Sequence, residues 1–484
     1  MGEASSPRPE PSEWMREVFL RLLGVVYLIA FVSFWVQAEG LVGLRGILPI
    51  HDLLALARER LGPSRYWVLP TVFWLGDGDA ALHLVCAAGT VLAVLAVLGR
   101  ARPLVMLGLW SLYLSLTVAG QDFLSFQWDV LLLEAGLLAV FLAPRGVLRR
   151  RPGLPPLLIV WMYRWLLFRL MFGSGVVKLT SGDPTWRGLT ALEYHYETQP
   201  LPTWVGFYAH HLPASAHMFA VAVMFAIELV LPWLIWLPGR WRRVPLAGFV
   251  GFQILIALTG NYAFFNLLSV ALCVFLADAG LLPSRWRPAA DAPSATVFGH
   301  CPRAVLAPFV AVLALVSAIQ FSEATLRVRL PWPGPAVWLA RAVSPLRSVN
   351  SYGLFAVMTT TRPEIVVEGS EDGENWRAYD FRYKPGDPKR RPGFVAPHQP
   401  RLDWQMWFAA LGTCDDSPWL QGLFQRIREG SPSVLGLLDR NPFPDRPPRY
   451  VRALLYDYRF SDLATHRRTG EWWQRRLETG FCGP

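Results

Sequence analysis

Long apolar runs separated by short polar loops fill the first two thirds of the chain. A helix that crosses a membrane needs about 20 mostly apolar residues. Nine stretches approach that requirement: residues 18–38, 80–98, 103–120, 129–143, 157–177, 215–237, 244–260, 264–282 and 303–321. The fourth is short and carries Glu134. The stretch 65–76 is apolar but too short to cross, which suits a re-entrant or interfacial segment. After residue 321 the pattern changes. Residues Glu364–Gly369 read as a strand, Ser370–Asn375 as a turn, and Trp376–Tyr383 as a second strand of alternating aromatic and polar positions. Asp403–Leu411, with Asp403 as its cap, and Pro418–Arg428 suit short helices. Tyr450–Phe460 is the strongest later strand.

This pattern predicts a membrane α-helical bundle of about nine transmembrane helices over 17–321. An exported α+β domain with a small antiparallel sheet follows over 322–484. Residues 1–16, rich in proline and serine, are expected to be a disordered cytoplasmic tail. The first run is too long for a cleavable leader and suits a signal anchor. No repeat of 20–50 residues and no Asn-x-Ser/Thr sequon is evident.

Composition agrees. The 484 residues are 53% hydrophobic and 17% charged, which excludes a disordered chain. Five cysteines in so long a chain exclude a disulfide-stapled mini-domain. The net charge of +10 raises nucleic-acid binding until the charge is located. Residues 1–321 carry 23 basic and 18 acidic side chains, and 322–484 carry the same numbers in half the length. With a cytoplasmic N-terminus, the cytoplasmic segments hold 14 arginines and the opposite loops only six basic residues. That bias is the signal that orients membrane helices. Nine crossings then place the last domain on the non-cytoplasmic side, and no nucleic-acid partner is expected. Only Lys178, Lys384 and Lys389 are lysine, against 43 arginines among the 46 basic residues. A GC-rich, bacterial source accounts for that ratio, and would put the chain in a bacterial inner membrane.

Ionisable residues inside membrane runs are functional candidates because their burial is costly. Here they are Glu134, Arg164, Arg169 and Glu228, which form either a functional site or an ion-paired interior. Lys178 sits where the fifth run ends, after Phe172–Val177. It either snorkels to the interface or is a desolvated amine able to act as a base. The loop 178–214 holds Asp183, Trp186, His195, Tyr196, Glu197, His210 and His211. Their spacing matches no zinc signature, and neither a metal nor another cofactor is expected. Cys86 and Cys273 read as small apolar residues within runs, and Cys301 as lying at the cytoplasmic edge. Cys414 and Cys482 share the exported domain and are candidates to pair. The run Pro397–Phe408 and the segment Asn441–Pro444 are either a partner surface or internal packing.

Several of these stretches resemble the lipase maturation factor family. They include Ser33–Pro49, Trp128–Glu134, Phe168–Trp186, Tyr194–Pro202, Asn350–Phe355, Pro363–Gly369, Tyr383–Gly386, Pro397–Phe408 and Tyr450–Phe460. The resemblance spans roughly residues 14–474. It implies a multi-pass protein of the endoplasmic reticulum membrane that assists folding and assembly of secreted lipases, with its C-terminal domain lumenal. An exported client protein and membrane lipids are the expected partners. Client contact is expected from Tyr194, His195 and Tyr196, and from His398, Arg401, Trp404, Trp407 and Phe408. A fainter resemblance, Gly175–Leu179 followed by Asp183 and Trp186, is to the transmembrane core of vitamin K-dependent gamma-carboxylases. It implies an alternative: a membrane enzyme on a lipid or quinone-like substrate, with Lys178 as base.

Overall fold

The computed structural model of the chain describes residues 13–144, 154–277 and 302–483. Residues 1–12 of the expected tail 1–16, Cys301 and the arginines Arg145, Arg149–Arg151, Arg285 and Arg287 lie outside the described residues, while residues 13–16 are not tail but the first turn of the helix Glu13–Trp35, with Met15 and Arg16 buried.

Among the described residues six helices are long and apolar enough to cross a membrane. They are α1 (Glu13–Trp35), α2 (Asp79–Arg100), α5 (Leu157–Thr180), α6 (Ala214–Trp236), α7 (Gly239–Thr259) and α9 (Ala304–Thr325). Three shorter helices occupy the other apolar runs: α3 (Pro103–Ala119), α4 (Gln127–Leu142) and α8 (Phe265–Leu276). Their cores are aromatic and closely packed. Tyr163 of α5 stacks on Phe275 of α8 at 4.3 Å, with Phe19 of α1 edge-on to Tyr163 at 4.7 Å. Trp165 Nε1 donates to Ser317 Oγ at 2.8 Å and so joins α5 to α9. A buried indole N–H needs such an acceptor. The stretch 65–76 forms only the short turns Arg65–Val68 and Val72–Leu75.

The C-terminal region is built on an antiparallel sheet. Strand β1 (Arg362–Ser370) pairs with β5 (Tyr450–Phe460) along its whole length. Ile365 and Val367 on β1 are fully buried. The expected second strand breaks in two. β2 (Arg377–Ala378) pairs with β1, and β3 (Asp380–Phe381) turns away to pair with β4 (Leu438–Arg440). β6 (Trp473–Cys482) pairs with β5 and completes the order β2-β1-β5-β6. Cys482 is disulfide-bonded to Cys414. Helices α10 (Arg401–Ala410) and α11 (Trp419–Arg428) fall where the sequence predicts them. Asp403 is not the cap of α10. It lies in the first turn, and its carboxylate accepts from the backbone N–H groups of Tyr383 at 2.8 Å and Lys384 at 2.9 Å.

The sheet region does not hang from the bundle on a linker. Gln399 bonds twice at the end of α1, its N–H to Ser33 Oγ at 2.8 Å and its carbonyl to Gln37 Nε2 at 2.6 Å. Asn261, between α7 and α8, accepts from Val395 N at 2.7 Å. Trp407 Nε1 donates to the Thr198 carbonyl at 2.8 Å, and Arg426 to the Gly46 carbonyl at 2.9 Å. The backbones come close enough that a Cβ on Gly40 would collide with the Ser433 carbonyl, and one on Gly422 with that of Ile47. All of these contacts reach helix ends or loops of one end of the bundle: residues 33–48, 120–129, 178–203 and 260–264.

Candidate functional site

Two buried ion pairs fasten the C-terminal region to that end of the bundle. Phe126, in extended backbone, is the N-cap of α4, so Asp129 falls in its first turn. There it meets Arg401, from the first turn of α10, in a two-pronged pair at 2.6 and 2.8 Å. The matched fork and carboxylate give this geometry its specificity. Tyr113 Oη donates to the same carboxylate at 2.5 Å, and Arg401 also donates to the Phe123 carbonyl at 2.9 Å. Burial opposes the Arg401 charge, but the Asp129 carboxylate outweighs it and holds the guanidinium above its ordinary range.

In the second pair Glu134, one turn deeper in α4, binds Arg169 of α5. It also accepts from Tyr352 Oη at 2.6 Å and from Asn350 N at 3.2 Å. The segment that enters the fold at residues 348–359 thus completes the coordination of this buried carboxylate.

The four charges expected within the membrane runs therefore do not form one network. Glu134 and Arg169 belong together. Glu228 pairs instead with Lys178, whose Nζ lies 2.9 Å from both carboxylate oxygens. Arg164 donates Nε–H to the Phe275 carbonyl at 3.0 Å and lies over the Trp161 ring. Glu228 stands in the π-turn Ala226–Val230, where α6 widens by one residue, a feature common where a helix carries a special side chain. Lys178 does not snorkel: it is 5% exposed. Its third donor reaches the Ser174 carbonyl at 3.1 Å, and Trp186 offers its ring face at 5.4 Å. The Ser174 carbonyl and both Glu228 oxygens thus surround the Lys178 nitrogen. Lys178→Met is expected to leave Glu228 buried without its partner and to cost about 3–5 kcal/mol, and Glu228→Leu in the same chain to recover most of it. Thermal unfolding in detergent measures both.

A third cluster lies in the sheet. Arg362 and Glu364, both fully buried on β1, pair at 2.7 Å, and Lys384 Nζ lies 2.9 Å from the other Glu364 oxygen. Arg362 also donates to the Pro200 carbonyl at 2.9 Å, which fixes the loop 197–200 against the sheet.

The expected contact residues divide by exposure. Arg401, Trp404 and Trp407 are at most 6% exposed, so they do not form a surface, whereas Phe408 is 45% exposed. Trp404 packs edge-on to Trp128 at 4.8 Å, and with Trp407 it lines a cleft of about 550 Å³. Tyr194 and Tyr196 are half-buried, Tyr196 against the His217 ring. His195 is wedged between Tyr262 Oη at 3.2 Å and the edge of Phe355. His398 contacts Ser33 Oγ at 2.9 Å. The sequence reading missed Trp204, Tyr208 and Phe394, which are 37, 47 and 49% exposed. Trp204 is edge-on to Phe394 at 6.0 Å, so the three rings form one open patch flanked by the two expected segments. Among the described residues no three His, Cys, Asp or Glu side chains are grouped to hold a metal.

Burial pushes His195, His210 and His398 down to about 4 from 6.5. Burial is the largest cause at each, and at His398 the nearby Arg401 and Arg382 add to it. Lys178 adds to it at His195, and His211 and His217 at His210. The folded chain thus refuses a proton that the unfolded chain accepts near 6.5. The stabilisation these rings give is complete above about 6.5 and is lost as the pH falls toward 4. His398→Gln, which keeps a polar group toward Ser33, is expected to flatten that fall. Denaturation midpoints between about pH 7 and 4 measure the difference.

Apolar helices of membrane length, arranged as a bundle with buried ion pairs at one end, define a multi-pass membrane protein. The comparisons narrow this class. The sequence pattern of the lipase maturation factor transmembrane domain matches residues 14–284, and that of the lipase maturation factor C-terminal domain matches residues 348–482. Lipase maturation factor 2 of Mus musculus is 38% identical, with 96% of this chain and 82% of the relative covered. The Homo sapiens protein of that name is 37% identical at the same coverage. Lipase maturation factor 1 of Homo sapiens is 34% identical, with 97% of this chain and 88% of the relative covered. The chain belongs to the lipase maturation factor family. No solved structure matches it.

Proposed function

We propose that the chain is a membrane-bound maturation factor that assists folding and assembly of an exported lipase, by binding and without covalent chemistry. The observation that carries this reading is similarity to proteins named lipase maturation factors across 96% of the chain and 82% of the relative.

The working face is the non-cytoplasmic one, and all nine apolar helices cross. Three observations support this. The arginine bias orients the loops, and nine crossings from a cytoplasmic N-terminus end outside. The sheet region contacts the loops that this topology puts on the outer side. The Cys414–Cys482 disulfide suits an oxidising compartment. The membrane is the one the client crosses: the endoplasmic reticulum in a eukaryotic cell, the inner membrane in a bacterium.

The client rests on the open aromatic patch of Trp204, Tyr208 and Phe394, since aromatic side chains dominate contact energies at interfaces. Replacing Trp204 and Phe394 together by serine is expected to weaken capture of a partly folded lipase about tenfold. The folded yield of the chain itself should stay unchanged. Equal capture by this variant in a pull-down would remove the patch from the mechanism.

A further inference from the structure

Phe394, one ring of the open aromatic patch, also lines a separate cleft of about 260 Å³. This cleft lies between residues 382–385, just after β3, the segment 390–395, and Trp473 at the start of β6. Only Pro202 reaches it from the bundle. Small-molecule sites run from about 300 to 1,000 Å³, so this smaller space suits a single side chain.

Every charged residue in its walls is basic: Arg382, Lys384, Arg390 and Arg391. Their charges are unevenly met. Lys384 Nζ lies 2.9 Å from a Glu364 oxygen. Arg390 lies 3.6 Å from Asp439, which is outside the walls and 55% exposed. Arg382 donates to the carbonyls of Leu438 at 3.1 Å and Gly436 at 2.6 Å, which orient the guanidinium without neutralising it. Arg391 is exposed and has no hydrogen-bonding or charged partner among the described residues. Two cations of the cleft, Arg382 and Arg391, therefore face solvent without a carboxylate among the described residues.

We infer that the cleft receives an acidic side chain of the client segment that lies on the aromatic patch. This rests on the reading of that patch as the client surface. Phe394 belongs to both, so an extended segment with an apolar residue over Trp204 and Phe394 brings a neighbouring side chain to the arginines. Guanidinium and carboxylate match in charge and in fork geometry. The carbonyl bonds hold Arg382 in place before the client arrives, so less side-chain freedom is lost on binding. A basic segment is repelled here, and a purely apolar one covers the arginines without pairing them. A lipid phosphate carries the same sign of charge. The walls, however, belong to the C-terminal region apart from Pro202, and none comes from an apolar helix.

The test is the fluorescence anisotropy of two labelled peptides titrated with the full chain in detergent. One is Gly-Ser-Leu-Phe-Glu-Leu-Ser-Gly, and the other has glutamine in place of glutamate. The acidic peptide is expected to bind about tenfold tighter at low salt, with the margin shrinking severalfold at about 0.5 M salt. Arg382→Gln should reduce the margin severalfold, and Arg391→Glu, at an exposed position without partners, should abolish it. Arg446→Gln, an exposed arginine outside the walls, should leave it as it is. An equal effect of Arg446→Gln and Arg391→Gln would overturn the inference. Equal binding of the two peptides, both weakened when Trp204 and Phe394 become serine, would overturn it and leave the patch standing. Binding of neither peptide would remove patch and cleft together. Displacement of the acidic peptide by dihexanoyl phosphatidylglycerol at a lower concentration than by unlabelled peptide would assign the cleft to a lipid headgroup and also overturn it.

Discussion

Replacing Arg401 with methionine is expected to cost the folded chain about 3–5 kcal/mol, because it leaves the Asp129 carboxylate buried without its partner. Arg401 is 1% exposed, and it supplies both prongs of the Asp129 pair together with the bond to the Phe123 carbonyl. Tyr113 remains on the carboxylate, but a neutral hydroxyl does not balance a buried charge. The second half of the expectation is specific to the pair. Asp129→Leu combined with Arg401→Met should recover most of the loss, since apolar residues of similar size replace buried pairs well. Chemical denaturation of the purified chain in detergent measures all three variants. Equal loss in the single and double variants would show that Arg401 acts through packing alone.

The second large effect concerns the disulfide. Cys414 and Cys482 lie 68 residues apart, and closing a loop of that size stabilises a fold by about 4 kcal/mol in the chain-entropy account. Cys482 ends β6, so the bond fixes the last strand of the sheet to the segment between α10 and α11. Cys482→Ser is expected to lower stability by about 2–5 kcal/mol and to expose β6 to proteolysis first. Wild-type chain given a reductant should follow the variant. A reductant that changes neither the melting point nor the protease pattern would count against a structural bond.

The apolar runs were legible because length and composition alone specify them. The run 103–120 became Pro103–Ala119, and 157–177 became Leu157–Thr180. The strand read at Glu364–Gly369 extends two residues earlier and one later, to Arg362–Ser370. β6 was not legible. Seven successive residues of that strand, from Gln474 to Gly480, are exposed, so no alternation marks it. The break at Tyr379 was hidden for a related reason: one alternating stretch serves two sheets, and only the fold decides which partner each half takes.

Among the site residues, the charges within apolar runs stood out because burial in lipid would make them costly. Their pairing did not. Asp129 and Arg401 are 272 positions apart, and nothing in either segment names the other. The aromatic run 397–408 read equally as surface or packing. The helix α10 turns Trp404 and Trp407 inward and leaves Phe408 out, a division that depends on what α10 lies against.

The central claim is that this chain brings an exported lipase to its active fold. The most direct measurement is the specific activity of the lipase secreted by cells that lack the chain, with lipase transcript and total secreted protein recorded alongside. Active lipase is expected to fall severely while its transcript and unrelated secreted enzymes hold steady, and to return when the chain is restored. Unchanged lipase activity in the deleted cells would contradict the account.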